Sequence, residues 1–392
     1  MNIQSIVAFG FILGMFLFVW WNKKNIEVKK ILFPLLYFVM YRGSWGITSM
    51  DRIAARFPRT LRVIAKMGIF FGILGMLFIS YQLMYGTYQL FTMPEAPQTI
   101  QPVLPFQVKG AAYVPFDYLI PAIFLIAIVH EFSHGVMARL YKLNVKSSGF
   151  AFLGIVVPVI PAAFVEPDEK KLFTRPVSEQ LAIFAAGPFA NILFAALLLV
   201  LIFSLINPLS ARMLDFTGVT VTTVVEGAPA AIAGLTAGER ILAIDQQQIT
   251  TTSNFTSYLQ TIVPGTTLTI LTNKTEHTLV TKANEKNASK AYLGVNIAQH
   301  LTPNPAFVNT YGSTTVSLLQ WFFGLLYWLL VLNLGIGTFN LVPIGPIDGG
   351  RMLYLILTTY LKKERGKRIF HYISVLLLAL ILVNIFVGMV LR

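Results

Sequence analysis

Residues 118–141 read YLIPAIFLIAIVHEFSHGVMARLY, an apolar stretch interrupted by His130, Glu131 and His134. The stretch is long enough to cross a bilayer as a helix, which takes about 20 residues. His130 and His134 are four residues apart, so a helix places both imidazoles on one face, at the spacing that lets two histidines bind one zinc ion. Ionisable groups inside a membrane span are costly, which favours a functional site over a pair of structural polar residues.

Five further apolar runs are long enough to be membrane spans. With the first stretch, they give six predicted spans at 3–21, 67–91, 118–141, 181–206, 317–341 and 370–391. The whole chain of 392 residues is 55% hydrophobic and 12% charged, as expected for a polytopic α-helical membrane protein. The apolar run 31–41 is too short to span, and we expect it at the membrane interface.

The basic residues indicate which side each connection faces. Residues 22–66, 139–176 and 351–369 hold 22 of the 30 Lys and Arg, which assigns these segments to the cytoplasm. The polar segment 211–300 and both termini then lie on the extracytoplasmic side. Because orientation already explains where the positive charge sits, we expect no nucleic-acid partner. The chain has no cysteine, so any metal must use His, Asp or Glu.

The segment between Lys146 and Glu166 is neither a span nor a simple polar loop. It contains GFAFLGIVVPVIPAAFVE, which is rich in β-branched residues and cut by Gly and Pro. Because it is apolar and yet begins and ends on the cytoplasmic side, it predicts a re-entrant β-hairpin. An ordinary loop on the membrane surface is the alternative.

A catalytic zinc site needs a third protein ligand, and Asp348 is the leading candidate. It lies in the segment 340–350, NLVPIGPIDGG, where Pro343 and Pro346 break the fifth span at a depth that matches the histidine pair. In the alternative, Asp348 is the N-cap of a helix over 351–362. The remaining histidines, His277, His300 and His371, are expected to be surface or interfacial residues.

These motifs resemble the site-2 proteases, a family of intramembrane zinc metalloproteases. The resemblance rests on HEFSH at 130–134, on NLVPIGPIDGG at 340–350, and on AAGPFAN at 185–191. It implies one Zn²⁺ per chain held by His130, His134 and Asp348, with Glu131 as the catalytic acid and base. It further implies that Asn340 assists the substrate or the transition state. Asn191 is a candidate for positioning the substrate.

The segment from 218 to 297 resembles a bacterial PDZ domain, with EGAPAAIAGLTAGERILAIDQQQI at 226–249 as the matching stretch. We therefore divide the chain into an N-terminal transmembrane region with a cytoplasmic basic segment (1–116), the first half of the metalloprotease core (117–210), an extramembrane PDZ-like α+β domain (211–300), and the second half of the core (301–392). PDZ domains bind an extended peptide as an added strand, although a structural insert without a ligand is the alternative.

The sequence thus predicts a peptidase that cuts within membrane-spanning helices, and the resemblance implies that it acts in regulated intramembrane proteolysis. Its expected partners are transmembrane protein substrates that are pre-cleaved or carry small external domains, and a peptide or C-terminus at the PDZ-like domain. The competing hypotheses are a zinc transporter or sensor and an inactive PDZ-bearing scaffold. Transport would require polar groups along several spans, which are otherwise apolar, and a scaffold would not need the complete set of catalytic candidates.

Overall fold

A computed structural model of the protein describes residues 3–23, 26–32, 36–93, 98–155, 157–284 and 287–391. The chain divides into two compact units. The first comprises Met1–Ile202 and Phe322–Arg392, and the second comprises Phe203–Trp321. Each unit has its own hydrophobic core.

Long apolar helices dominate the first unit. The helices of the described residues are, in chain order, α1 (Ile3–Trp21), α2 (Ile47–Arg56), α3 (Pro58–Thr92), α4 (Phe116–Leu140), α5 (Glu169–Leu172), α6 (Val177–Leu201), α7 (Asn207–Met213), α8 (Pro229–Ile232), α9 (Thr252–Thr261), α10 (Pro305–Tyr311), α11 (Ser313–Phe339), α12 (Asp348–Tyr360) and α13 (Lys363–Phe386). The segments Ile202–Ile206 and Val387–Leu391 continue α6 and α13 as π-helical turns.

The strands of the described residues belong to four sheets. They are β1 (Ile26–Leu32), β2 (Leu36–Gly43), β3 (Val103–Leu104), β4 (Ala112–Tyr113), β5 (Val145–Ile155), β6 (Val157–Pro167), β7 (Leu214–Val224), β8 (Arg240–Ile244), β9 (Gln247–Gln248), β10 (Thr267–Thr272), β11 (Glu276–Val280), β12 (Lys282–Asn284), β13 (Asn287–Tyr292) and β14 (Val295–Pro303).

Five described helical segments are long and apolar enough to cross a membrane. They are Pro58–Thr92, Phe116–Leu140, Val177–Met213, Ser313–Phe339 and Lys363–Val390. The first predicted span is helical over Ile3–Trp21, but its fully described apolar part, Phe9–Trp21, is shorter than a crossing requires. Five spans are therefore supported, and the count of six stays a prediction.

The segment predicted to be a re-entrant hairpin forms two antiparallel strands, β5 and β6. They belong to a four-stranded sheet in the order β1-β2-β5-β6, so the run 31–41, predicted only to lie at the interface, contributes to strands of the same sheet. Entry of the hairpin into the membrane stays a prediction. Within the described strands, β6 ends the sheet and has no strand on its outer side.

A polar network joins the four strands at one end of this sheet. Arg42 on β2 donates to Glu27 on β1, with 2.6 Å between Nε and Oε2, and to Ser147 on β5, with 3.0 Å between Nη1 and Oγ. It also donates to the Glu166 carboxylate on β6. Because the network reaches every strand, it helps to fix the position of β6, the strand that contacts Glu131.

The second unit contains a mainly antiparallel sheet in the order β11-β10-β8-β7-β14, with β9 paired to β8. Its core includes Val219, Ile241, Ile244 and Leu268, all fully buried. The short helices α8 and α9 lie between strands, and Thr251 and Asn254 form a capping box at the start of α9. The unit is thus an α+β domain of the predicted PDZ-like kind.

Candidate active site

The histidines of the HEFSH motif lie side by side on α4. Their Nε2 atoms are 3.1 Å apart, and the two rings meet edge to face with 4.8 Å between their centroids. This is the arrangement expected from a spacing of four residues on a helix. The helix packs against α6 and against β6, so the two imidazoles face the interior of the first unit.

Asp348, at the start of α12, completes a three-residue group with the histidine pair. Its Oδ2 atom lies 3.0 Å from Nε2 of His130 and 3.4 Å from Nε2 of His134. The side chains of His130, His134 and Asp348 are only 10, 12 and 13% exposed. Among the described residues, this is the one group of three or more His, Asp or Glu that could hold a metal ion, with candidate ligand atoms within 4.8 Å of one another.

The loop before α12 directs Asp348 to this position. The residue at the N-cap of α12 is Ile347, and no side chain makes a capping hydrogen bond there. Instead, the N–H of Gly349 donates to the carbonyl of Asn340, with 2.7 Å between N and O. A Cβ atom at Gly349 would collide with the Leu341 carbonyl, so the glycine permits the close approach of the two backbone segments. The alternative in which Asp348 caps the helix is therefore not the arrangement in the structure.

The second nitrogen of each histidine contacts α6. Nδ1 of His134 lies 2.7 Å from the carbonyl oxygen of Ile183, and Nδ1 of His130 lies 3.2 Å from Nδ2 of Asn191. Such contacts fix the orientation of a metal-binding imidazole and determine which nitrogen is free to bind. Both histidines therefore present Nε2 to Asp348 while Nδ1 is held from behind.

Gly187 on α6 leaves open space in front of these atoms. A Cβ atom at this position would collide with Nε2 of both His130 and His134. Two imidazoles and one carboxylate, with room for a further ligand, are the donor set of catalytic zinc sites. The residues present therefore fit a zinc ion at this place.

Glu131 points from the same helix toward the edge strand β6. Its Oε2 atom accepts a hydrogen bond from the backbone N–H of Val165, with 3.1 Å between the two atoms. The cavity beside it measures about 310 Å³, and its lining includes five of the six predicted site residues, namely His130, Glu131, His134, Asn340 and Asp348. The carboxylate of Glu131 and the candidate metal centre thus share one cavity.

The two asparagines occupy different positions. Asn340 lies in the cavity wall, where its Nδ2 donates to the carbonyl of Ile336 on the preceding turn of α11, over 3.0 Å. Asn191 is not in the cavity wall; it is fully buried behind His130. The predicted roles of both residues stay predictions.

His277 does not lie at the surface, which corrects one expectation from the sequence. It is 7% exposed, and its nitrogens lie 2.9 Å from the carbonyl of Ala233 and 2.9 Å from the carboxylate of Glu239. Burial is tolerated because both ring nitrogens have hydrogen-bond partners. His300 is half-buried and His371 is exposed, as expected.

Sequence reasoning missed the backbone groups of the site. The carbonyl of Ile183 and the N–H of Val165 contact His134 and Glu131, respectively, but every residue carries such groups, so no residue type marks them in a sequence. The stretch AAGPFAN was a sequence signal for Gly187, but it did not show that this glycine lies against the two histidines.

The chain is similar to known proteins over its motif segments and over its PDZ-like domain. Residues 118–382 match the model of Peptidase family M50. An uncharacterised protein of Methanocaldococcus jannaschii is 28% identical over 347 residues, which cover 84% of each chain.

Two solved PDZ domains of SdrC-like proteins each match 21% of this chain. The domain from Listeria monocytogenes is 23% identical, with 90% of its chain covered and a TM-score of 0.20. The domain from Listeria innocua is 31% identical, with 96% covered and a TM-score of 0.19.

The family match spans well over half of the chain and includes both the HEFSH helix and the Asp348 segment. It confirms the resemblance inferred from the motifs. Together with the apolar helices, it identifies an integral, multi-pass membrane protein. The chain therefore belongs to peptidase family M50, the site-2 protease family of metalloproteases, and carries an inserted PDZ-like domain.

Proposed function

We propose that this protein is a zinc-dependent endopeptidase that cuts peptide bonds within the transmembrane helices of membrane-anchored proteins. The observation that carries the proposal is the convergence of His130, His134 and Asp348 in one cavity with Glu131. Their burial within a unit of membrane-spanning helices supports a substrate that is itself in the membrane.

The zinc ion would be held by His130, His134 and Asp348. When bound, zinc polarises a peptide carbonyl and lowers the pKa of water toward about 7. Glu131 accepts a proton from the attacking water and returns it to the leaving amine, which is general acid and base catalysis by one carboxylate. The amide of Asn340, once turned away from the Ile336 carbonyl, donates to the oxyanion.

The substrate helix must first unwind, because its own backbone hydrogen bonds hold the scissile peptide away from attack. The outer edge of β6 offers replacement partners. An extended substrate segment placed along this edge forms a further strand of the sheet, beside Glu131. In this proposal the edge strand delivers the peptide bond to the catalytic carboxylate.

The distribution of basic residues supports an orientation with the PDZ-like domain and both termini outside the cytoplasm. In that position the domain can hold a peptide or a newly exposed C-terminus, or restrict entry to substrates with small external domains. Either role fits regulated intramembrane proteolysis, in which an earlier cleavage trims the substrate.

The proposal is tested by measuring zinc content and cleavage of a transmembrane substrate by the purified full-length enzyme. We expect about one zinc per chain, and at least about tenfold less after His130→Ala, His134→Ala or Asp348→Ala. Glu131→Gln should keep the zinc and lose cleavage by a factor of about 100 or more.

The exposed His371 provides a matched control, because His371→Ala also removes an imidazole from a membrane helix and should change neither measurement. Full zinc retention in Asp348→Ala would contradict the ligand assignment. Undiminished cleavage in Glu131→Gln would contradict the catalytic assignment.

A further inference from the structure

Asn191 is held firmly against His130 in the interior of the first unit. It is 0% exposed, and its Nδ2 lies 3.2 Å from Nδ1 of His130. On its other side Asn191 is close to α11. A Cβ atom added at Gly337 would lie only 3.1 Å from Cβ of Asn191. The asparagine therefore has little freedom to turn toward the cavity in which a substrate would lie.

The position of the proton on the His130 ring determines whether Asn191 must donate or accept a hydrogen bond. Nε2 is the nitrogen that faces His134 and Asp348. A histidine that binds a metal through Nε2 carries its proton on Nδ1, and this N–H needs an acceptor. Among the described residues, the side-chain group in contact with Nδ1 is the amide of Asn191, which places its oxygen within reach to be this acceptor.

An amide can fill this role because it has a donor end and an acceptor end of nearly the same shape. Oδ1 of Asn191 is buried and has no hydrogen-bond partner in the present orientation. A half-turn of the amide brings Oδ1 to Nδ1 of His130. The amide thus donates while Nε2 is protonated and bonded to Asp348, and accepts once Nε2 is free to bind a metal ion.

We propose that Asn191 is a positioning residue of the metal centre, whose side-chain oxygen holds His130 in the tautomer that leaves Nε2 free. His134 receives the same support from the backbone carbonyl of Ile183, which no side-chain substitution removes. Of the two groups that contact the Nδ1 atoms, only the side chain of Asn191 can therefore be removed by substitution. This inference rests on the proposed metal site. It assigns to Asn191 the positioning of His130, a proposed metal ligand, instead of the positioning of the substrate.

The test compares the zinc affinity of full-length variants by competition with a chelator. Asn191→Leu has a similar volume but no acceptor, and we expect it to bind zinc about 10- to 100-fold more weakly. Asn191→Asp keeps an acceptor for the N–H of His130 and should restore binding to within about threefold of the unmodified protein. The absorption spectrum of the cobalt-substituted protein should change in the leucine variant only, because it reports the geometry of the ligands.

Asn384 on α13 provides the matched control. It is also 0% exposed, but its Nδ2 donates to Thr87 Oγ1 over 2.6 Å and does not contact a histidine. Asn384→Leu should therefore leave zinc affinity and the cobalt spectrum unchanged. If Asn191→Leu does not fold, Asn191→Ala removes the same acceptor with less crowding and should show the same loss.

The outcomes separate this inference from the proposed function. A folded Asn191→Leu or Asn191→Ala protein with unchanged affinity and spectrum would overturn the positioning role while leaving the metal centre intact. Absence of zinc binding in the unmodified protein would instead overturn the metal centre itself.

Discussion

The carboxylate of Glu131 accepts a hydrogen bond from the backbone N–H of Val165, with 3.1 Å between Oε2 and N. The bond joins the HEFSH helix to β6, and it shows that this N–H points away from β5. Because N–H groups alternate between the two sides of a strand, the N–H of Ala163 also points outward. Pro161 belongs to the same outward set, where a residue without an N–H costs no pairing with β5.

Removal of one outward-pointing backbone N–H from β6 should weaken binding of the substrate strand without disturbing the proposed metal centre. In Ala163→Pro we expect kcat/KM for a transmembrane substrate to fall about fivefold, the effect of one backbone hydrogen bond of about 1 kcal/mol. Zinc content should stay the same. Ala163→Val is the control, because it keeps the N–H and suits a strand. Equal kcat/KM in both variants and the unmodified enzyme would rule out substrate addition along this edge.

The proposed orientation can be tested by labelling, because the chain contains no cysteine and gives no background. Ser257 and Asn287 are exposed in the PDZ-like domain, and Lys362 is exposed between α12 and α13. Single cysteines at the first two positions should react with an impermeant thiol reagent in intact cells, whereas one at Lys362 should react only after lysis. Labelling at Lys362 in intact cells would reverse the orientation.

Deletion of the PDZ-like domain should change which forms of a substrate are cut. With residues 216–298 replaced by a short flexible linker, an enzyme whose domain excludes bulky partners should begin to cut substrates with intact external domains. If the domain instead holds a trimmed C-terminus, cleavage of trimmed substrates should slow. Equal rates for both substrate forms in a folded, zinc-loaded deletion variant would show that the domain does neither.

The buried pair of His277 and Glu239 should make the stability of the PDZ-like domain depend on pH. Burial opposes the charge on His277, but the Ala233 carbonyl and the Glu239 carboxylate raise its pKa above 6.5. Burial likewise opposes the charge on Glu239, yet hydrogen bonds from Thr236, His277 and Thr272 lower its pKa to about 2.

The two shifts define a window of greatest stability. The contribution of His277 is complete below pH 6.5 and is lost as the pH rises through its raised pKa. That of Glu239 is complete above pH 4.5 and is lost as the pH falls toward about 2. Hydrogen exchange in β8 and β11 of the full-length protein, corrected for the intrinsic rate, should therefore show a lower opening free energy at about pH 8.5 than at about pH 5.5. His277→Gln should abolish this difference, and its persistence would contradict the assignment.

Much of the site was predictable because its residues are rare in their surroundings. His130, Glu131 and His134 stand out within an apolar span, and helical periodicity alone places both imidazoles on one face. The position of Asp348 beside the two histidines was predictable because Pro343 and Pro346 break a span close to the same side of the membrane. The sheet partners were less predictable, since the run 31–41 is short and apolar and does not reveal that β2 pairs with β5.

The sequence by itself determined the apolar helices, the residue types of the candidate metal site and the polar insert, because hydrophobic periodicity and residue chemistry are local properties of the chain. Only the tertiary structure brought the carboxylate of Asp348 within 3.0 Å of His130, which is 218 residues away in the chain, and placed Asn191 behind His130. It also decided that Val165 contacts Glu131 through a backbone N–H. These relations depend on how α4, α6, α12 and β6 pack, and the geometry of a contact between distant segments or through the backbone cannot be derived from the sequence around either residue alone.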